Sequence, residues 1–160
     1  MNDFQKLFKK DQGNIKLFKS GEINATLFKN RTERNIQSFL QIVKENGFPK
    51  HYSDPETYRM AITLLLHTPL NELRRIYNKI KIRDVRSLLK SDVAYITDRI
   101  NILDGKKQVF GTNYKITNER IVFLPIENRS GVNDRREKMG LCSLNEYRKF
   151  IRGKRDNVNF

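Results

Sequence analysis

Apolar residues recur at intervals of three and four along most of the chain, a spacing typical of helices that bury one face. The first clear case follows Thr32, and its apolar positions are Ile36, Phe39, Leu40 and Val43. The segment MAITLLL, residues 60–66, is apolar on several faces. We therefore expect the helix that contains it to be central.

Capping residues set the expected helix boundaries. Gly47 predicts a left-handed end to the first helix. Asp54-Pro55 predicts the start of the central helix, as an N-cap followed by a first-turn proline. Thr68-Pro69 then predicts a third helix, and Asp84 is expected to cap a fourth that runs through Ile100.

The periodicity changes after about residue 100, where turn residues and short apolar runs predict strands. Asp104-Gly105 is a typical hairpin sequence and is followed by Gln108-Val109-Phe110. Asn118-Glu119 predicts a second turn, between Tyr114–Ile116 and Ile121–Leu124. We expect two or three antiparallel strands here.

Two short helices are expected to close the fold. Asn133 or Asp134 would cap the first, which Gly140 would end, and Ser143 with Glu146 forms a capping box for the second. The predicted fold class is α+β, mostly α: a helical body with a small late antiparallel β-hairpin or three-stranded meander.

The first thirty residues repeat a Leu-Phe pair every ten positions. We interpret these pairs as anchors of short helices, with breaks at Asp11–Gly13 and Ser20-Gly21. The alternative is a basic amphipathic arm that contacts phosphate or membrane. The expected organisation is a basic arm or short helices over 1–30, one globular domain over 31–152, and a frayed basic tail over 153–160.

Charge is the strongest compositional signal, since 32 Lys and Arg against 18 Asp and Glu give a net charge of +14. Such a surface favours anionic partners, either a small anionic molecule or nucleic acid, although it is also compatible with simple solubility.

The single Cys142 excludes an internal disulfide and, without an apolar span or secretory leader, favours the cytoplasm. One cysteine and two histidines cannot build a closed zinc site, and although carboxylates could bind Mg²⁺ or Ca²⁺, no loop concentrates them. We therefore assign no metal and no cofactor. The oligomeric state stays open.

Candidate chemistry centres on His67, at the end of the apolar helix. An imidazole there could act as acid or base, or simply be a cation favoured by the helix dipole. Asp98 could orient it, and Arg99 could grip phosphate or carboxylate. The simpler interpretation of Asp98 and Arg99 is two unconnected salt bridges.

Neutral and basic side chains after residue 100 complete the candidate set. Gln108 is assigned with His67, Asp98 and Arg99 to the catalytic group, and substrate binding is assigned to Lys106, Thr112, Arg135 and Arg136. Gly111 indicates a backbone held close to another chain segment or a ligand.

The stretches LLLHTPLNELRRI, AYITDRINILDGKKQVFGTNY and LPIENRSGVNDRREKMGLCSLNEY together resemble an uncharacterised bacterial family of unknown function. The resemblance covers nearly the whole chain and includes Asp11-Gln12. The matching positions are His67, Asp98, Arg99, Gly105, Lys106, Gln108, Gly111, Thr112, Pro125, Ile126, Arg135, Arg136, Gly140, Leu141 and Tyr147.

The chain departs from that family pattern where Leu66, Asn113 and Asn128 replace glutamine, glutamine and aspartate, and where Phe110 replaces tyrosine. Any role for a tyrosine hydroxyl at position 110 is therefore lost here. The resemblance selects residues but implies no particular reaction.

Three hypotheses follow. The first is a small cofactor-free enzyme that acts on a phosphate-bearing or anionic substrate. Its reaction would be hydrolysis or group transfer, and cleavage of RNA is one example. The second is a non-catalytic basic module that binds nucleic acid or another polyanion. The third is a purely structural polar network formed by His67, Asp98 and Arg99.

Overall fold

The computed structural model describes residues 1–156, apart from the side chains at positions 83, 85 and 154–156. Over that range it contains seven α-helices and one two-stranded antiparallel sheet, which confirms the expected α+β, mostly α class. Contacts divide the chain into two compact units, Met1–Ser87 and the part from Leu88 onward. The boundary falls inside the range that the sequence assigned to one domain.

The first unit is entirely helical. Its elements are α1 (Asp3–Lys19), α2 (Ala25–Asn46), α3 (Pro55–Leu66), α4 (Leu70–Asp84) and a 3₁₀ turn, Val85–Ser87.

Helix α1 is continuous, so the predicted break at Asp11–Gly13 is wrong. A glycine inside a helix costs about 1 kcal/mol relative to alanine, an amount that tertiary packing readily offsets. Here Leu7 and Phe4, about two and two and a half turns before Gly13 at 3.6 residues per turn, are buried. The predicted break at Ser20-Gly21 is confirmed, with Gly21 at φ +76°.

The expected caps of the following helices largely hold. Asp54 accepts a 3.0 Å hydrogen bond from the Thr57 N–H at the start of α3, and Gly47 follows α2 at φ +76°. Helix α2 starts earlier than the apolar pattern indicates, because Asn24 caps it through the Leu27 N–H at 2.8 Å. Helix α3 is the central helix expected, with half of its residues buried.

Asp84 does not start a long helix through Ile100, contrary to the prediction. It is the last residue of α4, and its carboxylate accepts the N–H of Arg86, two residues on, at 3.2 Å. Its carbonyl accepts the Ser87 hydroxyl at 2.7 Å. These bonds favour a tight turn, and the next helix begins only at Lys90.

The second unit combines helices with a hairpin. Its elements are α5 (Lys90–Leu103), β1 (Tyr114–Thr117), β2 (Arg120–Phe123), a 3₁₀ turn (Arg129–Gly131), α6 (Val132–Lys138) and α7 (Leu144–Asp156). Residues 157–160 of the expected tail lie outside the described residues.

The turn at Asn118-Glu119 is confirmed, since both residues have positive φ, +47° and +60°, as a two-residue type I′ hairpin requires. The other predicted hairpin turn is wrong. Gly105, at φ +72°, ends α5 in a Schellman motif, in which the Lys106 N–H reaches the Asn101 carbonyl at 2.8 Å. The same Asp-Gly sequence serves both kinds of turn.

The third strand of the meander is absent from the described part of the chain. Gln108 forms only an isolated parallel bridge with Ile126, through backbone bonds to Pro125 and Glu127 of 2.9 and 2.8 Å. This bridge holds the segment that follows α5 without extending the sheet.

The helix ends of the second unit are partly as expected. The Ser143–Glu146 capping box is present. Gly131, rather than Asn133 or Asp134, caps α6, because the Asn133 side chain accepts the Leu144 N–H at 3.0 Å instead. A buried apolar cluster joins β2, α6 and α7 through Phe123, Val132, Leu144 and Ile151. None of the described helices has the length and apolar character needed to cross a membrane.

Candidate functional site

His67 pairs with a buried carboxylate in the first unit. Its Nδ1 lies 3.0 Å from Oδ2 of Asp11, a residue 56 positions earlier. The Asp11 side chain is 6% exposed and the His67 side chain 35% exposed. The pair therefore joins a shielded carboxylate to a partly accessible imidazole.

Two helices position this pair. Asp11 lies in the middle of α1, and His67 is the C-cap of α3, with its backbone N–H on the carbonyls of the last turn. Thr68 then donates its hydroxyl to the Leu65 carbonyl at 2.7 Å, which fixes the end of α3 before Pro69. The imidazole thus sits on a backbone held by the helix end rather than on a free loop.

The carboxylate determines which ring nitrogen carries the proton. An ionised carboxylate can only accept hydrogen bonds, so the Nδ1 that faces Asp11 must be the protonated nitrogen. In the neutral ring, Nε2 then holds the lone pair. The Gln12 amide donates to the same Oδ2 at 3.1 Å and further restrains the carboxylate.

Asp11 is a site residue that the periodicity and motifs do not predict, although the sequence contains a signal for it. Phe4, Leu7, Asp11 and Asn14 follow the spacing of one helix face, and all four are buried. Two polar residues on an otherwise apolar face indicate buried polar contacts. A helix break at Asp11-Gln12-Gly13 would disrupt that face, whereas the continuous α1 keeps all four residues on one side.

Asp98 has a different environment, in the second unit. It is fully buried on α5, and its two oxygens accept the N–H groups of Val109, Phe110 and Thr112 at 2.7, 3.0 and 2.9 Å. The Thr112 hydroxyl adds a fourth donor at 2.9 Å. The carboxylate thereby fixes the loop that runs from Val109 to Thr112.

Gln108 is also buried and uses both ends of its amide. Its nitrogen donates to the carbonyls of Asn113 and Leu124 at 2.9 and 2.8 Å, and its oxygen accepts the Asn113 N–H at 2.7 Å. The side chain therefore links the segment after α5 to the end of β2.

Gly111 lies in the same loop at φ +68°. A Cβ built there would stand 2.8 Å from Cδ1 of Ile126 and 2.9 Å from Cδ2 of Leu144. The close approach expected at this glycine is thus to other segments of the chain.

The two predicted anion-binding arginines of α6 contact carbonyl groups. Arg135 donates to the carbonyls of Val109, Glu127 and Asn128 at 2.9, 2.6 and 2.9 Å. Arg136 is 1% exposed and donates to the Cys142 and Phe110 carbonyls at 2.6 and 2.8 Å.

The Arg136 guanidinium also lies 5.0 Å from the centre of the Tyr147 ring. Tyr147 directs its hydroxyl to the Thr112 carbonyl at 3.3 Å. Burial, followed by the hydrogen bond with Tyr95, raises the pKa of the Tyr147 phenol well above its ordinary value. This phenol therefore stays neutral and serves as a donor.

The remaining two predicted residues are less enclosed. Burial lowers the pKa of the half-buried Arg99 guanidinium from its ordinary value. Lys106 is exposed and forms an ion pair with Asp104 at 2.6 Å.

The structure thus divides the predicted site into two groups. Asp98, Gln108, Thr112, Arg135 and Arg136 meet around residues 108–113 in the second unit. His67 belongs to the first unit, where Asp11 takes the orienting position that the sequence analysis gave to Asp98. No group of three or more potential metal ligands occurs among the described residues.

Comparison with known proteins places this small, mainly helical protein in a family. The chain belongs to the family of unknown function DUF6624, whose family model matches residues 74–156, just over half of its length. This confirms the resemblance to an uncharacterised family. The matched range includes all five predicted site residues that meet around residues 108–113, but neither Asp11 nor His67. Searches of the curated proteins and of the solved structures found no match.

Proposed function

We propose that this protein is a small enzyme that uses His67 for acid–base chemistry on a phosphate-bearing or otherwise anionic substrate, without a bound cofactor. The observation that carries the proposal is the 3.0 Å contact between a buried Asp11 and a partly exposed His67. A histidine oriented by a buried carboxylate is the arrangement that general-base catalysis uses on unrelated folds.

In this proposal Nε2 of His67 removes the proton from a hydroxyl group or water as its oxygen attacks phosphorus. The Asp11 carboxylate stabilises the imidazolium that forms, and the same Nε2–H then protonates the leaving oxygen. Asp11 is a positioning residue, since it acts through the imidazole. The cycle returns His67 to its starting state and needs no redox partner.

The anionic substrate class follows from the net charge of +14, which attracts anions over the whole molecule. The proposed substrate class does not depend on Arg135 or Arg136, because their guanidinium groups donate to carbonyl oxygens of the protein. We keep the cytoplasm as the proposed location, because the one cysteine, Cys142, is a free thiol.

The test is turnover of phosphodiesters by the full chain. The probes are a 2′,3′-cyclic nucleotide, a short RNA and bis(p-nitrophenyl) phosphate. His67→Gln should lower the rate by roughly 10²- to 10⁴-fold. Asp11→Asn should lower it less and shift its pH profile, because the charge beside Nδ1 is removed.

His51→Gln is the matched control. His51 contacts the Arg86 carbonyl at 3.0 Å through Nε2 and packs against two tyrosine rings, so it resembles His67 only in residue type. An enzyme that retains full turnover in folded His67→Gln, or that turns over none of the phosphodiesters, would contradict the proposal.

The second candidate function is a non-catalytic module that binds nucleic acid or another polyanion. It is favoured by exposed cations on one helix, α4, at Arg75, Lys79 and Lys81. This function predicts affinity for RNA or DNA that falls by at least tenfold between low and moderate salt, and that does not change in His67→Gln. Binding that is absent or insensitive to salt would exclude it.

A further inference from the structure

A cavity of about 750 Å³ lies within the first unit, between the second half of α2, the loop up to Lys50, and α4. This volume falls within the range of small-molecule sites in proteins. Its described lining residues include neither Asp11 nor His67. It is therefore a separate feature from the acid–base pair.

Apolar side chains from both helices and the loop form one part of the lining. These are Leu40, Val43, Phe48, Ile76 and Ile80. They offer a surface for a flat or apolar group, whose transfer from water is favourable by roughly 25 cal/mol for each Å² buried.

Carboxamide groups stand among these apolar residues. Gln37, Gln41 and Asn46 line the cavity from α2, and each amide offers both a donor and an acceptor. That combination suits the edge of a heterocyclic base, which also alternates donors and acceptors. The Gln41 amide also donates to the Glu45 carboxylate, which leaves its second N–H and its oxygen for a ligand.

The charged lining residues favour an anion. Arg75 pairs with Glu72 at 2.7 Å, and Lys50 pairs with Asp84 at 3.6 Å. Lys44 and Lys79 also line the cavity, and neither forms an ion pair within the described part of the chain. Two uncompensated ammonium groups thus lie on opposite helices beside an apolar surface.

We propose that this cavity binds a nucleoside phosphate. The base packs on the apolar residues, with its edge toward the amides, and the phosphate lies between Lys44 and Lys79. The proposal is independent of catalysis at His67 and stands even if that histidine is structural.

The experiment is calorimetric titration of the full chain with adenosine monophosphate. We expect saturable binding at one site. The double variant Lys44→Ala with Lys79→Ala should weaken it by roughly tenfold or more, because both ammonium contacts are lost. Val43→Phe, which adds bulk at a half-buried lining position, should weaken it without a loss of folded protein.

The matched control is Lys16→Ala with Lys19→Ala, which removes the same charge from exposed positions on α1. It should bind as wild type does, and so should His67→Gln, which separates this test from that of the proposed function. Equal weakening in the control would show non-specific attraction and overturn the proposal.

Two comparison ligands complete the test. Inorganic phosphate should bind far more weakly, since it makes no contact with the apolar lining. Equal affinity for inorganic phosphate, binding of dodecyl phosphate without binding of the nucleotide, or no saturable binding of the nucleotide would each overturn the proposal.

Discussion

The two units each bury an aspartate on a helix, but the two carboxylates have different partners. Asp98 is completely buried and accepts hydrogen bonds from four donors, three of them backbone N–H groups. Asp11 is nearly as buried, but contacts an imidazole that is 35% exposed and the amide of Gln12. One carboxylate holds a loop and the other holds a titratable ring.

The hydrogen-bond partners of a buried aspartate distinguish a structural role from a possible catalytic role more clearly than its burial does. When fixed backbone N–H groups surround a carboxylate, all of its acceptor positions are used to stabilise the fold. A carboxylate that orients a partly accessible histidine leaves the second ring nitrogen available for proton transfer. Asp98 and Asp11 illustrate these two cases within one chain.

The same substitution at both aspartates gives the largest contrast. Asp98→Asn should destabilise the protein by about 2–4 kcal/mol, because the new amide nitrogen must face an N–H or hydroxyl donor whichever way it turns. Urea denaturation of wild type and variant measures this loss. Asp134→Asn, at an exposed position on α6, is the control and should change stability little. A stable Asp98→Asn protein would refute the structural role.

The loop that Asp98 holds provides the next test. Gly111→Ala should cost about 2–3 kcal/mol, since it combines a positive φ with the close approach of Ile126 and Leu144. Gly105→Ala is the matched control. It has a similar φ of +72° but nothing within 4 Å of the added Cβ, so only the backbone cost of about 1 kcal/mol remains. Equal melting temperatures for the two variants would contradict the packing argument.

Asp11→Asn should be milder, at about 1 kcal/mol, because the new amide can keep its oxygen toward Nδ1 of His67. Its main effect should be on turnover and its pH profile. Denaturation and kinetics measured on the same preparation check this. A stability loss as large as that of Asp98→Asn would indicate that the pair is structural.

Substitutions of the exposed capping carboxylates should change the free energy of unfolding least, and by similar amounts in the two units. Hydrogen bonds from Thr57 lower the pKa of Asp54 at the start of α3, and hydrogen bonds from Ser143 lower that of Glu146 at the start of α7. Their stabilisation is therefore present above the ordinary values of 3.8 and 4.5 and is lost as the pH falls through the lower folded values.

Asn and Gln retain the capping bonds without titrating. Asp54→Asn with Glu146→Gln should therefore match wild type at neutral pH and lose less stability in acid. Thermal melts between pH 7 and pH 3 measure this, and an unchanged acid dependence would show that other carboxylates dominate.

Local sequence rules predicted most of the helices and the turn at Asn118-Glu119, since caps and periodicity act over a few residues. They failed where a local pattern has two outcomes. Asp104-Gly105 suits a hairpin or a helix end, and the backbone bond from Lys106 to Asn101 determines the outcome. Asp84 could start a helix, but here it accepts the N–H of the following turn.

The candidate site was only partly predictable for a related reason. His67, Gln108 and the two arginines were selected by type and position, whereas their partners depend on contacts between distant segments. The 56-residue separation of Asp11 and His67 cannot be read from periodicity. Only the polar residues on the buried face of α1 indicate it.

The most direct test of the account is the tautomer of His67, measured by ¹⁵N NMR at a pH where the ring is neutral. His67→Gln assigns the signal, since His51 is the only other histidine. We predict a protonated Nδ1 and an unprotonated Nε2, with this preference weakened in Asp11→Asn. A protonated Nε2 in wild type would contradict the account, because the base would then lack its lone pair and Asp11 would not orient it.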